Sequence, residues 1–333
     1  MGERVLLAHG NGGRLMRELI DEVFVAAFGD QAPDTRGDAV PLPPVEGTLM
    51  LTTDGFTVQP LQFPGGDLGT LAVHGSVNDL AVAGAEPRWL TLAVVLEEGL
   101  EFERLRSLAA SFAAAARAAG VRVMAGDTKV VPRGHGGGAY FTVGALGVRR
   151  RDGLGIAAIR PGDAVLVSGP VGDHGIAVLL AREDFDLRGP GVVSDCASVL
   201  PLARALWPLP GLRFLRDPTR GGLATVAHEI AQGSGLAVHL HEGALPVRPS
   251  TRSVCEMLGY DPLYLACEGR VVAVVAPDEA GAALQRWREL DGGRDAACIG
   301  HLAAGAAQVV LHTAIGGERL LEELEDDPLP RIC

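Results

Sequence analysis

Along the 333-residue chain the apolar positions follow two periods, one helical and one extended, and glycines mark where one gives way to the other. An apolar run over residues 4–8 is broken by "HGNGG". Apolar residues then recur at helical spacing over 16–28 until Gly29 ends them. "GTLMLTTDGF" reads as a short strand ending at Asp54, with Gly55 permitting a turn. "FPGGDLGTLAVHGSVNDLAVAGAEP" runs from a glycine turn into a helix of mostly small residues, stopped by Gly84 and Pro87. "WLTLAVVL" has the unbroken apolar character of a buried strand. Over 102–119, Phe102, Leu105, Leu108, Ala109, Phe112 and Ala116 form one stripe of a helix that Gly120 caps. "VRVMAGD" is a strand delivering Asp127 at its end, and "AYFTVGALGV" is another strand.

The stretch from "RRRDG" to "RPGD" reads as a domain boundary. Beyond it, "AVLVSGPVGDHG" repeats the order strand, glycine turn, helix. "LRDPTRGGLATVAHEIA" sets a Gly-Gly turn before a helix, and "RVVAVVA" and "AQVVLH" are strands. An acidic, exposed helix is expected over 318–325, after which Pro328 and Pro330 hold the chain extended. Related order in the two halves predicts an α/β protein of the α+β type, built from two related mixed α/β domains. The expected divisions are a Gly-rich loop and helix over 1–40, a first domain over 41–150, a second over 151–319, and an acidic helix with a tail over 320–333.

Composition narrows the function. With 47% hydrophobic and 21% charged residues the chain is globular in character. A net charge of −12 argues against nucleic-acid partners, whose phosphates need basic patches. No apolar stretch approaches bilayer length and no basic-then-apolar leader opens the sequence, so a cytoplasmic protein without a membrane partner is expected. Cys196, Cys255, Cys267, Cys298 and Cys333 are odd in number and lack CxxC spacing, which indicates neither a disulfide framework nor a zinc ribbon. The first four sit among apolar or small residues and read as buried thiols, whereas Cys333, at the end of "DDPLPRIC", reads as a thiol on a short arm.

The 29 basic residues include a single lysine, Lys129 in "AGDTKVV". It is either the survivor of an arginine bias or a titratable amine kept where arginine, which holds its proton, would not serve. Asp38, Asp54, Asp79 and Asp127 stand at strand and helix ends, with Asp67 in a glycine turn between them. Any one Gly-Asp pair can be a plain turn, but several converging carboxylates would suit Mg2+, a hard cation. "HGNGG", "FPGGD" and "TRGG" could bring backbone amides to phosphates. No Walker motif or G-x-S-x-G elbow is present, so any ATP site would lack a P-loop. Histidines are scattered without an H-E-x-x-H spacing. His239 and His241 alternate on a strand and read as solvated or packed, and His174 in "GDHG" reads as a turn residue or a neighbour of substrate.

"TTDGFTVQPLQFPGGDLGTLAVHGSVNDLAVAGAEP", "AGDTKVV", "SGPVGDHG", "DPTRGGLA" and "PRIC" together resemble the HypE family of carbamoyl dehydratases in NiFe-hydrogenase maturation, within the aminoimidazole-ribotide-synthetase-like ATP-binding superfamily. The resemblance covers nearly the whole chain. It departs at Asn11, where serine is usual, and at His74, where a small residue or cysteine is common. It implies that a HypF-type carbamoyltransferase loads Cys333 with a carbamoyl group, that ATP and Mg2+ drive its dehydration to a thiocyanate, and that a HypC–HypD complex receives the cyanide. Asp38, Asp54, Asp79 and Asp127 would hold Mg-ATP, with Asn78, Gly221 and Gly222 toward the phosphates. Lys129 would stabilise phosphoryl or remove a proton, and Glu268 would be a second base. Dimerisation through the first domain is likewise implied, with the apolar strands near Trp89 to Leu96 as a candidate seam. A thiamin-phosphate kinase or selenophosphate synthetase of the same superfamily, and a non-catalytic assembly scaffold, are the rival readings.

Overall fold

The computed structural model describes residues 3–35, 37, 39–182, 191–325, 329 and 332. Asp38 and Cys333 lie outside them. Helix α1 (Arg14–Leu19) continues through a π-helical segment (Ile20–Val25) into α2 (Ala26–Phe28), burying Leu19, Val23, Phe24 and Phe28. There follow β1 (Leu49–Phe56), a two-strand hairpin of β2 (Gln62–Phe63) and β3 (Gly66–Asp67), α3 (Leu68–Val82), β4 (Ala85–Glu97), α4 (Phe102–Ala119), β5 (Arg122–Val131) and β6 (Ala139–Arg149). The long strands make a sheet in the order β1-β6-β4-β5, in which only β4 and β5 pair in parallel, because α4 crosses over between them.

Asp67 is the N-cap of α3, accepting from the Thr70 amide at 2.8 Å. The small residues of α3 let it lie hard against α4. A Cβ on Gly69 would come within 2.2 Å of the Leu108 carbonyl oxygen. The six apolar residues expected along α4 are all buried, and Gly120 caps it at φ 70°.

The second unit runs β7 (Ala164–Val167), α5 (Asp173–Arg182), α6 (Leu200–Leu206), β8 (Leu212–Arg216), α7 (Gly222–Ser234), β9 (Ala237–His241), α8 (Pro249–Leu258), β10 (Val272–Val275), α9 (Ala280–Arg288), β11 (Ala297–Ala303), β12 (Val309–His312) and β13 (Glu318–Leu320). Its sheet has the order β13-β12-β9-β11-β7-β10-β8. Phe63 and Leu68 from the first unit share one apolar core with Leu179, Val192 and Leu265 from the second. The two units therefore meet along a packed seam.

Several expectations are corrected. Residues 318–320 form a strand and 321–325 continue without helix, in place of an acidic helix. A turn at Thr313–Gly317 folds β13 onto β12, pairing Leu320 with Val310, and Leu321 is buried with its amide on the Val309 carbonyl. Apolar burial at that one position and an edge-strand ladder outweigh helix propensity. Asp54 and Asp127 do not end their strands, since β1 runs to Phe56 and β5 to Val131. Cys298 is exposed, on the solvent side of β11.

Candidate active site at the domain seam

Thr52 and Asp54, two apart on β1, share the face of the first sheet that α3 covers, and the Thr52 hydroxyl donates to Asp79 Oδ2 at 2.7 Å. Across the seam, the segment that follows β8 supplies Asp217, Thr219 and Arg220, and the one that precedes β10 supplies Glu268. Together with Asp54, Gly55, Phe56, Gly75 and Asp79 they line a cavity of ≈ 40 Å³. Burial, and then the neighbouring Asp79 charge, raise the pKa of Asp54, while Arg220 opposes them. Burial first, then Asp79, push Asp217 up to about 7, with Asp54 adding to the rise. Three carboxylates so placed favour a proton or a cation among them. Among the described residues no three side chains are set to enclose a metal ion unaided. Mg2+ takes one or two carboxylates and completes its shell with water and phosphate, so the donor set fits Mg2+ held jointly with a phosphate chain. Gly221 and Gly222 carry the chain from Arg220 into α7 at φ 71° and 60°, and a Cβ on Gly222 would reach within 2.5 Å of the Leu265 carbonyl oxygen. Only glycine permits that approach.

The described residues of the tail lead to the same seam. Leu329 and Ile332 are 3% and 2% exposed, within the shared core. His174, on α5 and fully buried, has Nε2 2.7 Å from the Ile332 carbonyl oxygen and Nδ1 2.8 Å from Ser194 Oγ. A carbonyl only accepts, so Nε2 carries the proton. Burial lowers the His174 pKa, so Nδ1 of the neutral ring accepts from the Ser194 hydroxyl, which in turn accepts from the Cys196 amide at 3.0 Å. Phe63 meets the imidazole edge-on at 5.3 Å. The neighbouring Asp195 carboxylate accepts from the amides of Glu268 and Gly269, both at 3.2 Å, and pairs with Arg270 at 3.3 Å. The residue bonded to Cys333 is thus held a few side chains from the cavity that Glu268 lines.

Two family models match the chain, that of the AIR synthase related protein N-terminal domain over residues 37–149 and that of its C-terminal domain over 160–312. A carbamoyl dehydratase HypE of Rhodobacter capsulatus is 47% identical over 99% of this chain and 98% of its own. A solved HypE in complex with ATP superposes with a TM-score of 0.93 at 44% identity, covering 98% of this chain and 99% of the other. A chain from a HypE–HypF complex superposes at 0.80 with 40% identity, over 94% of this chain and 100% of that one. The chain belongs to the HypE family.

Against that family's expected site, the structure gathers Asp54, Asp79 and Glu268 around one cavity and sets Gly221 and Gly222 beside it. It adds Asp217, Thr219, Arg220, Thr52 and His174. "DPTRGGLA" carries three of these, but only its glycines attract notice in a sequence, because the value of Asp217 comes from burial beside Asp79. Asn78 has a different place from the one expected. It is 1% exposed, its Nδ2 donates to the Ala197 carbonyl at 3.1 Å and its Oδ1 accepts from the Val199 amide at 2.8 Å, so its amide ties the two units together instead of facing phosphate. Lys129 and Asp127 form an exposed ion pair at 3.1 Å on β5, away from the carboxylate cavity. His74, whose pKa burial lowers to about 4, brings no positive charge to Asp79. Asp38 and Cys333 lie outside the described residues.

Proposed function

We infer that this HypE-family chain is an ATP-dependent carbamoyl dehydratase that converts an S-carbamoyl group on its own Cys333 to a thiocyanate. The observation that carries this reading is the buried Ile332 carbonyl, held by His174 next to the seam where Asp54, Asp79, Asp217 and Glu268 meet. An amide oxygen is a very poor leaving group in water, so its removal requires activation and a base within reach. ATP supplies the activation by phosphorylating the carbamoyl oxygen as one N–H proton leaves, giving S-C(OPO3)=NH. Loss of the second N–H proton with phosphate then leaves S-C≡N. Asp54, Asp79 and Asp217 would hold the Mg2+ of the nucleotide, Arg220 would meet phosphate charge, and Glu268, which lines the same cavity, would take a proton.

Loading by a HypF-type carbamoyltransferase and delivery to a HypC–HypD complex follow from this chemistry, since the thiol must receive one group and surrender another. The relative solved with HypF supports the first of these partners. A cytoplasmic setting accords with the described residues, where no helix is long and apolar enough to cross a membrane. The test is the mass of the C-terminal peptide from carbamoyl-loaded protein. On addition of Mg-ATP the adduct loses the mass of one water. An adduct left intact while ATP is turned over onto a small acceptor would replace the dehydratase with a kinase.

A further inference from the structure

Four of the nine histidines gather on one face of the second sheet, none of them among the residues that line the carboxylate cavity. His239 and His241 are two apart on β9. His301 on β11 stands opposite His239, and His312 on β12 stands opposite His241. The rings of His239 and His301 stack at 5.1 Å, and those of His241 and His312 at 4.8 Å. His241 and His301 are exposed and the other two half-buried, so the group is open to solution. His239 Nδ1 and His312 Nε2 lie 2.9 Å apart, and the other nitrogen of His312, Nδ1, is 3.2 Å from Glu318 Oε1 on β13.

We propose that this histidine quartet is a surface site for a divalent transition-metal ion of tetragonal preference, Cu2+ or Ni2+, chelated by His239 Nδ1 and His312 Nε2. Imidazole suits these ions. An open imidazole pair binds Ni2+ and, above all, Cu2+ more tightly than the lighter divalent ions, and a shell left to be completed by water suits their tetragonal geometry better than a closed tetrahedral zinc site. Glu318 can only accept, so it holds the proton of the neutral His312 ring on Nδ1 and leaves Nε2 as that ring's accepting and ligating nitrogen. A carboxylate behind a ligating imidazole is the usual support of such a site. His239 currently donates to that nitrogen. On binding, its proton moves to Nε2, and both rings turn about their Cβ–Cγ bonds so that the two lone pairs meet at the ion. In their present orientations no three such side chains among the described residues converge. The remaining positions therefore fall to water and to His241, whose ring lies against His312.

The test uses the full chain without a polyhistidine tag, its accessible thiols alkylated with iodoacetamide and its oxygen sites filled by excess Mg2+. Cu2+ and Ni2+ are titrated calorimetrically, with the Cu2+ absorption spectrum recorded in parallel. One equivalent with a nitrogen-ligand spectrum is expected. H239A with H312A should abolish it, and E318Q should weaken it about tenfold by removing the support behind His312. Circular dichroism checks that each variant is folded. Binding undiminished in the folded double variant, or no binding by the parent chain, overturns the proposal.

Discussion

At the residue scale, His174 is the side chain whose proton has one possible arrangement. Its Nε2–H must point at the Ile332 carbonyl and its Nδ1 must accept from Ser194. Replacing it with alanine removes a buried hydrogen bond, on the order of 1–2 kcal/mol, and frees the tail accordingly. Alkylation of Cys333 in the absence of nucleotide should then accelerate about tenfold in H174A, whereas H174Q, which keeps an N–H donor, should restore most of the protection. Equal rates in all three proteins would show that His174 does not hold the tail. Asp217 gives a second expectation, in pH. Its folded pKa of about 7 lies above its ordinary 3.8, so the fold binds that proton more tightly than the unfolded chain does. The stabilisation is fully present below 3.8 and is lost as pH rises through about 7. D217N keeps the site neutral throughout. From pH 5 to 8 the parent should therefore lose about 2–3 kcal/mol relative to the variant, read from denaturant unfolding. A constant difference would place the raised pKa elsewhere.

At the scale of elements, much of the fold was legible because single stripes of residues decide it. The α4 stripe buries as its spacing requires, the small residues of α3 accept a close neighbour, and Gly120 and Gly221 fall where the backbone is left-handed. What misled was segment 318–325, where an acidic composition favours a solvated helix. Its fate turns on one buried residue, Leu321, and on a partner strand six or more residues earlier, neither of which shows in a local period. The site divides in the same way. Asp54, Asp79 and Glu268 could be picked out by type and motif. Asp217 and His174 gain their chemistry from burial at a seam between units, and Asn78, whose type suits a ligand, spends its hydrogen bonds on that seam. The histidine quartet was hidden for a related reason. Its spacing in sequence is meaningless, and only the register of three strands brings it together.

At the scale of the whole molecule, one chain does not bring Lys129 to the carboxylates. Asp54, Val143, Leu92 and Gly126 stand in one row across the first sheet, so they share a face, the one toward α3. Asp127 and Lys129 follow Gly126 by one and three residues and therefore project from the other face. They are also on β5, at the edge opposite β1 and three strand spacings away, about 14 Å. That outer face carries Leu49 and Leu51, 52% and 71% exposed, an apolar pair suited to burial against a second copy. β1 is an open edge of that sheet, so a second protomer packed against it brings its Lys129 round the edge to the α3 side; if the family's expected lysine acts at this site, it comes from such a partner across a two-fold axis, with each chain lending Lys129 to the other's Asp79. K129A and D79A would then each be inactive alone. When mixed and allowed to exchange, half the dimers are heterodimers, and each of these has one site bearing both substitutions and one bearing neither. Thiocyanate formation should recover to about a quarter of the parent rate. Verified heterodimers that stay inactive would return Lys129 to a role within its own chain and separate dimerisation from catalysis.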